Sequence, residues 1–429
     1  MPDPGFAGLY LSRYGSPLGD SLPDPDPDIA VIVVIPSFRE KHLNLAIQSL
    51  IEADVPGLTW EILCVINHPE HSDRETMEIN RQSLAQVKDM DAGVRKGIRI
   101  LPLWVPDVPV KHAGVGWARK IGFDTAVSRF SQTGRPDGII ISFDADSICA
   151  PDFIIKLVEF YSTHPKARGC NHYFEHPLDE KETGDSSLIA GYELHLRYFK
   201  SCLEWIRHPQ AIHTVGSSFS FRADAYCQSG GMGRHQAGED FYFLHKIAAL
   251  GQFWEHNGVT IMPSPRISDR VVFGTGATMQ QLHQSGQMME TYPFELFQPL
   301  KLLFSRVDEI RELNDTEILA LPQNHWCTDP LNHFLQASGL PGEWIRIRHH
   351  SSSPETYRRH FFHSFNVFSV LRYLNQSCRG GFQKVPVTAA CREFSDKTGW
   401  MVYPDFSDPV ELVRIFRKYE QNRGVRRVT

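Results

Sequence analysis

Residues 140–153 read IISFDADSICAPDF, with two carboxyl groups, Asp144 and Asp146, standing two apart where an apolar run ends. In extended backbone, residues i and i+2 project to one side, so both side chains can converge on one spot. Clustered carboxylates repel each other unless a cation sits between them or one takes a proton. Hard oxygen ligands suit Mg²⁺ or Mn²⁺, ions that commonly also hold a substrate's phosphates. The pair therefore reads as a metal bridge to a diphosphate. The competing reading makes both residues caps for the helix that begins near residue 151. A second acidic pair, Glu239 and Asp240, opens GEDFYFLHKIAALG (238–251), where two acids in a first helical turn complement the helix dipole. Arg266 and Arg270, in IMPSPRISDR, carry guanidinium groups that pair with phosphate in bidentate fashion.

Those side chains need a frame. IAVIVVIP (29–36) is an unbroken β-branched run, the pattern of a strand covered on both faces in a parallel sheet. A helix at 40–53 follows, then strand 60–67, helix 72–90, strand 98–105, helix 114–130, strand 137–144 and a proline-opened helix at 151–164. Four strand–helix units in succession predict an α/β layer with a mostly parallel sheet and helices on both faces. In such sheets ligands bind beyond the carboxyl ends of the strands, where Asp144 falls. From about 165 the pattern breaks into a strand and loop, a helix at 187–206, mixed strand and turn at 213–232, and the helix at 238–251. Residues 280–429 read as a mainly helical C-terminal region without repeats. Residues 1–28, rich in Pro, Gly and Asp, read as an irregular lead-in.

VIVVIPSFRE at the first strand, GVGWARKIGFDTA before the fourth, FDADS at its end and GED some ninety residues on come in one order. That order resembles the family 2 glycosyltransferases of the GT-A fold, over roughly residues 29–275. The resemblance implies a Rossmann-like GT-A domain at 29–279, with a nucleotide-sugar half at 29–164 and an acceptor half at 165–279. Pro36, Ser37 and Glu40 match the loop that borders the nucleotide. Asn67 stands where the family usually has an acid that meets the base or ribose. An amide can hydrogen-bond a base edge, which leaves a UDP- or GDP-sugar open. Arg119 and Lys120 match the basic helix beside the donor, and Asp144 and Asp146 match the D-x-D metal motif. Asp240, with Glu239 next to it, matches the catalytic base of inverting members. Asp269 holds the position of a third metal contact, with His256 and His283 as alternatives. FGTGATM (273–279) reads as a lid over the donor or as a plain surface loop. The small residues of VGSSFSFR and SGGMG would let a sugar ring approach backbone.

The implied activity is metal-dependent transfer of a sugar, with Mn²⁺ or Mg²⁺, from a nucleotide-diphosphate sugar to an acceptor hydroxyl with inversion. The acceptor would be a glycan, a glycolipid or a small molecule. FDADS also looks like the nucleophile loop of haloacid-dehalogenase-type phosphatases, but that loop normally follows the first strand of its sheet. A third reading is a non-catalytic sugar- or nucleotide-binding protein of the same fold.

Composition sets outer limits. A chain of 429 residues with formal net charge −6 lacks the basic balance of a nucleic-acid-binding protein. The eight cysteines are scattered with no C-x-x-C pair, which favours reduced thiols and a cytoplasmic setting. No signal pattern opens the chain and no apolar stretch approaches the ~20 residues of a membrane span, leaving peripheral membrane contact open. The histidines at 168–177 and 346–353 lack zinc-binding spacing. The aromatics of RRHFFHSFNVFSVLRYL (358–374) recur at helical spacing and read as core.

Overall fold

The computed structural model describes residues 5–18, 22–179, 186–233, 238–266, 275–323, 328–400 and 407–429. The chain divides into two compact units. The first comprises Met1–Ile189, Thr214–Gln284 and Arg417–Thr429; the second comprises Ala190–His213 and Ser285–Phe416.

The first unit begins with a departure from the irregular lead-in: α1 spans Gly8–Tyr14. Seven residues without a side-chain cap cannot hold a helix alone. Tyr10 anchors it from outside, donating to Asp124 at 2.8 Å. The alternation then runs as expected, through β1 (Val31–Ser37), α2 (Leu43–Glu52), β2 (Trp60–Pro69), α3 (Arg74–Asp91), β3 (Ile98–Val108), α4 (Val115–Gln132) and β4 (Ile139–Ser142). Every residue of β1 is buried, as a central parallel strand covered on both faces requires. Asp73 caps α3, its carboxylate accepting the Thr76 amide at 2.6 Å.

Next come β5 (Ile148–Cys149), α5 (Phe153–Thr163), β6 (Gly169–Phe174), α6 (Ser186–Trp205, which from Ala190 belongs to the second unit), β7 (Phe219–Arg222), α7 (Ala223–Gln228), α8 (Glu239–Ala249) and β8 (Phe253–Met262). Among the described residues the sheet has nine strands, ordered terminal strand (Val425–Arg427), β8, β6, β7, β4, β1, β2, β3, with β5 paired to β8. β4, β1, β2 and β3 run parallel, as do β6 and β8. β7 runs antiparallel between β4 and β6. The longer ladders are thus parallel and the class is α/β.

Alternation along the strands separates two faces. Val31, Val33, Ile35, Ile62, Cys64 and Ile66 join residues of α2 and α5 in one apolar cluster. Val34 and Val65 face α4, which comes close because Gly122 has no side chain: a Cβ there would stand 2.3 Å from Val34. β8 and the terminal strand are not legible as strands. FWEHNGVTIM mixes polar residues with a glycine, and the short VRR has no apolar alternation. They exist through pairing, Val425 opposite His256 and Arg427 opposite Trp254, with an Arg426–Glu255 ion pair at 2.6 Å.

The second unit is helical. Trp344 stacks on Phe361 with ring centroids 4.6 Å apart, and Phe361, Phe365, Tyr373 and Leu374 are buried, so the aromatic periodicity at 358–374 is that of a core. Among the described residues no helix is long and apolar enough to cross a membrane.

Candidate active site

Parallel pairing brings the carboxyl ends of β1, β2 and β4 to one edge. Ser37 lies opposite Ile66, one residue before Asn67, and Val34 lies opposite Ser142. The Phe143 amide then donates to the Val34 carbonyl at 3.1 Å, so Asp144 emerges at the rim. Beyond it the backbone turns: the Ser147 amide donates to the Asp144 carbonyl at 3.1 Å. Asp144 and Asp146 therefore occupy a turn and not the extended strand end expected from the sequence. They do not cap α5 either, whose N-cap residue is Asp152. Each carboxylate instead meets an arginine.

Arg119, in the second turn of α4, is almost wholly buried. Its Nη2 donates to Asp144 Oδ1 at 2.5 Å, and its Nη1 pairs with Glu239. Burial by itself would lower the guanidinium's pKa, but Asp144, Glu239 and Asp240 outweigh it and hold the group above its ordinary value. Gly216 makes the space: a Cβ there would stand 2.3 Å from Arg119 Nη2. The loop is pinned where Ser142 Oγ donates to the Gly216 carbonyl at 2.7 Å. The room expected here for a sugar ring is thus filled by Arg119. At Gly231, whose φ of +67 lies in the left-handed region, it is filled by Tyr10: a Cβ would stand 2.0 Å from the phenol oxygen.

The second arginine is Arg266. β5 pairs with the end of β8, Cys149 opposite Ile261 and Ile148 opposite Met262, which returns residue 266 to the Asp146 turn. Arg266 Nη2 donates to Asp146 Oδ2 at 2.9 Å and Nη1 donates to Glu40 Oε1 at 3.0 Å. Nη2 also pairs with Glu40 Oε2. Glu40 is buried; Asp144 and Asp146 keep about a third of their side-chain surface, 31% and 29%.

Glu239 and Asp240 open α8 as its two first-turn acids. Glu239 is consumed by Arg119, whereas Asp240 is half-buried and accepts its own neighbour's amide, Phe241, at 2.7 Å. Its pKa is pushed up to about 7, first by burial and then by Glu239, with Asp144 adding and Arg119 opposing. One carboxyl of the pair is therefore locked as a counter-ion and the other is poised to exchange a proton near neutrality.

Some expected residues stand elsewhere. Lys120 does not join Arg119 at the rim. Successive helical residues point about 100° apart, and its ammonium goes to Asp124 Oδ2 at 2.7 Å and the Tyr14 carbonyl at 2.8 Å. Asn67 is buried near the end of β2, its carbonyl accepting from Asn80 Nδ2 at 3.0 Å. Pro36 and Ser37 close β1, and the buried Ser37 hydroxyl has no hydrogen-bond partner among the described residues. Asp269 and Arg270 lie outside the described residues, as does the start of FGTGATM, which from Thr275 belongs to a helix ending at Ser285. His256 is buried on β8 beside Phe160, 5.5 Å between ring centroids. His283 is exposed on that helix. Sequence reasoning missed the Arg119–Glu239 pair, because 120 positions separate its members, and His68 at the end of β2, whose buried Nε2 has no hydrogen-bond partner among the described residues.

Among the described residues no group of three or more His, Cys, Asp or Glu forms a metal-binding cluster. The donor set still fits Mg²⁺ or Mn²⁺, which are commonly bound through one or two carboxylates completed by water and substrate phosphate. Among the described residues the charge fits as well: Glu40, Asp144, Asp146, Glu239 and Asp240 face the guanidinium groups of Arg119 and Arg266, an acidic excess that would repel a diphosphate unless a cation came with it.

No family model matches this chain, and no curated protein does. Several solved structures are similar to it. S. aureus TarS in complex with UDP-GlcNAc is 11% identical at a TM-score of 0.38, covering 79% of this chain and 91% of that one. A longer S. aureus TarS chain is 12% identical at a TM-score of 0.37, with 77% of this chain covered. This chain spans about half of that one, 54%. Glucosyl-3-phosphoglycerate synthase from Mycobacterium tuberculosis, in complex with phosphoglyceric acid, is 17% identical at a TM-score of 0.27, covering 46% of this chain and 58% of its own. Similarity of this degree assigns no activity to the chain.

Proposed function

We propose that the chain is a glycosyltransferase that moves a sugar from a nucleotide-diphosphate sugar to an acceptor hydroxyl. The observation that carries this reading is the junction at Arg119, which ties the Asp144 turn at the end of β4 to the acidic pair that opens α8. A leaving-group site and a proton acceptor are what such a transfer needs side by side. The order of sequence motifs that resembles family 2 glycosyltransferases falls on these same elements.

In this reading the donor's diphosphate lies at the rim of β1, β2 and β4, within reach of Ser37, Asn67 and Arg266. Asp144 and Asp146 would hold Mn²⁺ or Mg²⁺, which when bound supplies neutralising charge to the departing diphosphate. Asp240 in its ionised form takes the proton of the acceptor hydroxyl as that oxygen attacks the anomeric carbon. The bond from the anomeric carbon to the phosphate oxygen breaks, its electron pair leaves with the nucleotide diphosphate, and the configuration inverts. Arg119 holds Glu239 and Asp144 in register so that Asp240 remains the exchangeable acid. Nothing in the site favours the phosphatase reading: Asp144 follows the fourth strand of the chain and is ion-paired to Arg119.

The test is a thermal-shift panel of UDP, GDP and their sugars with and without Mn²⁺. Stabilisation that needs both the ion and one nucleotide identifies the donor class. No stabilisation by any nucleotide, with or without the ion, would remove the reading. NMR of the product's anomeric configuration then decides inversion.

A further inference from the structure

We propose that Arg266 is the resident counter-cation of Asp146, and that donor binding exchanges it for the divalent ion. Arg266 would then set how weakly the chain holds the ion in the absence of nucleotide. The inference rests on the reading of Asp144 and Asp146 as metal ligands. It adds a role for an arginine that is anchored at one side and competing at the other.

The anchored side is Glu40. This carboxylate is only 2% exposed. Its Oε1 accepts the His42 amide at 2.9 Å and Arg266 Nη1 at 3.0 Å, while Oε2 takes Nη2. A fork on a buried carboxylate is a strong and specific pairing, and removing the guanidinium would take a charge partner from a buried carboxylate. The competing side faces solvent. The same Nη2 reaches Asp146 Oδ2 at 2.9 Å, and both side chains are 29% exposed there. A divalent ion on Asp146 must share or displace that contact. A diphosphate resolves the competition, because its oxygens can accept from Nη2 while the ion takes the carboxylate. Nucleotide and ion then each favour the other, and linkage makes the two effects equal in size.

The experiment is a Mn²⁺ titration of the full chain with and without UDP or GDP, free ion being read from its electron paramagnetic resonance amplitude. The wild type should hold Mn²⁺ weakly alone and more tightly with the nucleotide it binds. Arg266→Gln should bind Mn²⁺ alone roughly fivefold or more tightly than wild type and lose most of the nucleotide's enhancement. Should the buried Glu40 charge, deprived of Arg266, unfold that variant, the double variant Glu40→Gln/Arg266→Gln removes both charges and should give the same result. Unchanged affinity for Mn²⁺ alone, or tightening with the nucleotide's enhancement intact, overturns the exchange. Asp146→Asn separates this failure from that of the underlying reading. If it abolishes Mn²⁺ binding, the metal site stands without the exchange; if it binds like wild type, the site and the exchange fall together.

Discussion

At the scale of single residues, the site depends on which acid is paired. Glu239 is committed to Arg119 and Asp240 is not. Asp240→Asn should leave nucleotide-dependent thermal stabilisation in place and lower turnover by about 10²–10⁴-fold, the usual contribution of a positioned base. Because Asp240 works unprotonated and its pKa is raised to about 7, the wild-type rate should climb with pH through that value and level off above it. The stability consequence has the opposite sign. A carboxyl with raised pKa stabilises the fold at low pH, and that contribution is lost as pH rises through about 7. Asp240→Asn should therefore gain melting temperature over wild type at pH 8 and show little gain at pH 4. Gly216→Ala would drive a methyl into Arg119. Overpacking of this kind costs about 1–3 kcal/mol, so denaturant melts should shift by that amount and turnover should fall as Arg119 moves off Asp144.

At the scale of elements, the N-terminal helix is held by one carboxylate. Asp124 accepts from Tyr10, Tyr226, the Ser16 amide and Lys120, which fills the acceptor capacity of both oxygens. Asp124→Ala would leave the buried Lys120 without its counter-ion, and breaking a buried pair in this way costs about 3–5 kcal/mol. The expected readouts are a lower denaturation midpoint and faster proteolysis within α1, since a seven-residue helix has no stability of its own.

At the scale of the whole molecule, buried neutral histidines tie stability to pH. Burial lowers His195 and His208 from an ordinary 6.5 to about 4, and lowers His172 strongly in the sheet. A folded pKa below the unfolded value means stability is intact above about 6.5 and is lost as pH falls toward 4. Thermal melts followed by circular dichroism should show a steep drop in melting temperature between those limits. An unchanged melting temperature across that range would contradict the burial of these rings.

The sequence alone determined the parallel α/β core, because apolar runs and helical periodicity are local signals read directly along the chain. It also singled out Asp144, Asp146 and Arg266 by the chemistry of their side chains, and Glu40, Arg119, Glu239 and Asp240 through the order of motifs that resembles family 2 glycosyltransferases. It did not determine their pairing. The unions of Arg119 with Glu239 and of Arg266 with Glu40 join residues 120 and 226 positions apart, whereas the turn at Asp144–Ser147 and the diversion of Lys120 to Asp124, one helical turn on, are local contacts that residue type alone does not announce. Strand pairing decides these contacts: β5 meeting β8 returns Arg266 to Asp146, and parallel β1 and β4 bring Asp144 to the rim. The terminal strand is of the same kind, since three residues without a pattern become a strand only when an edge is there to receive them.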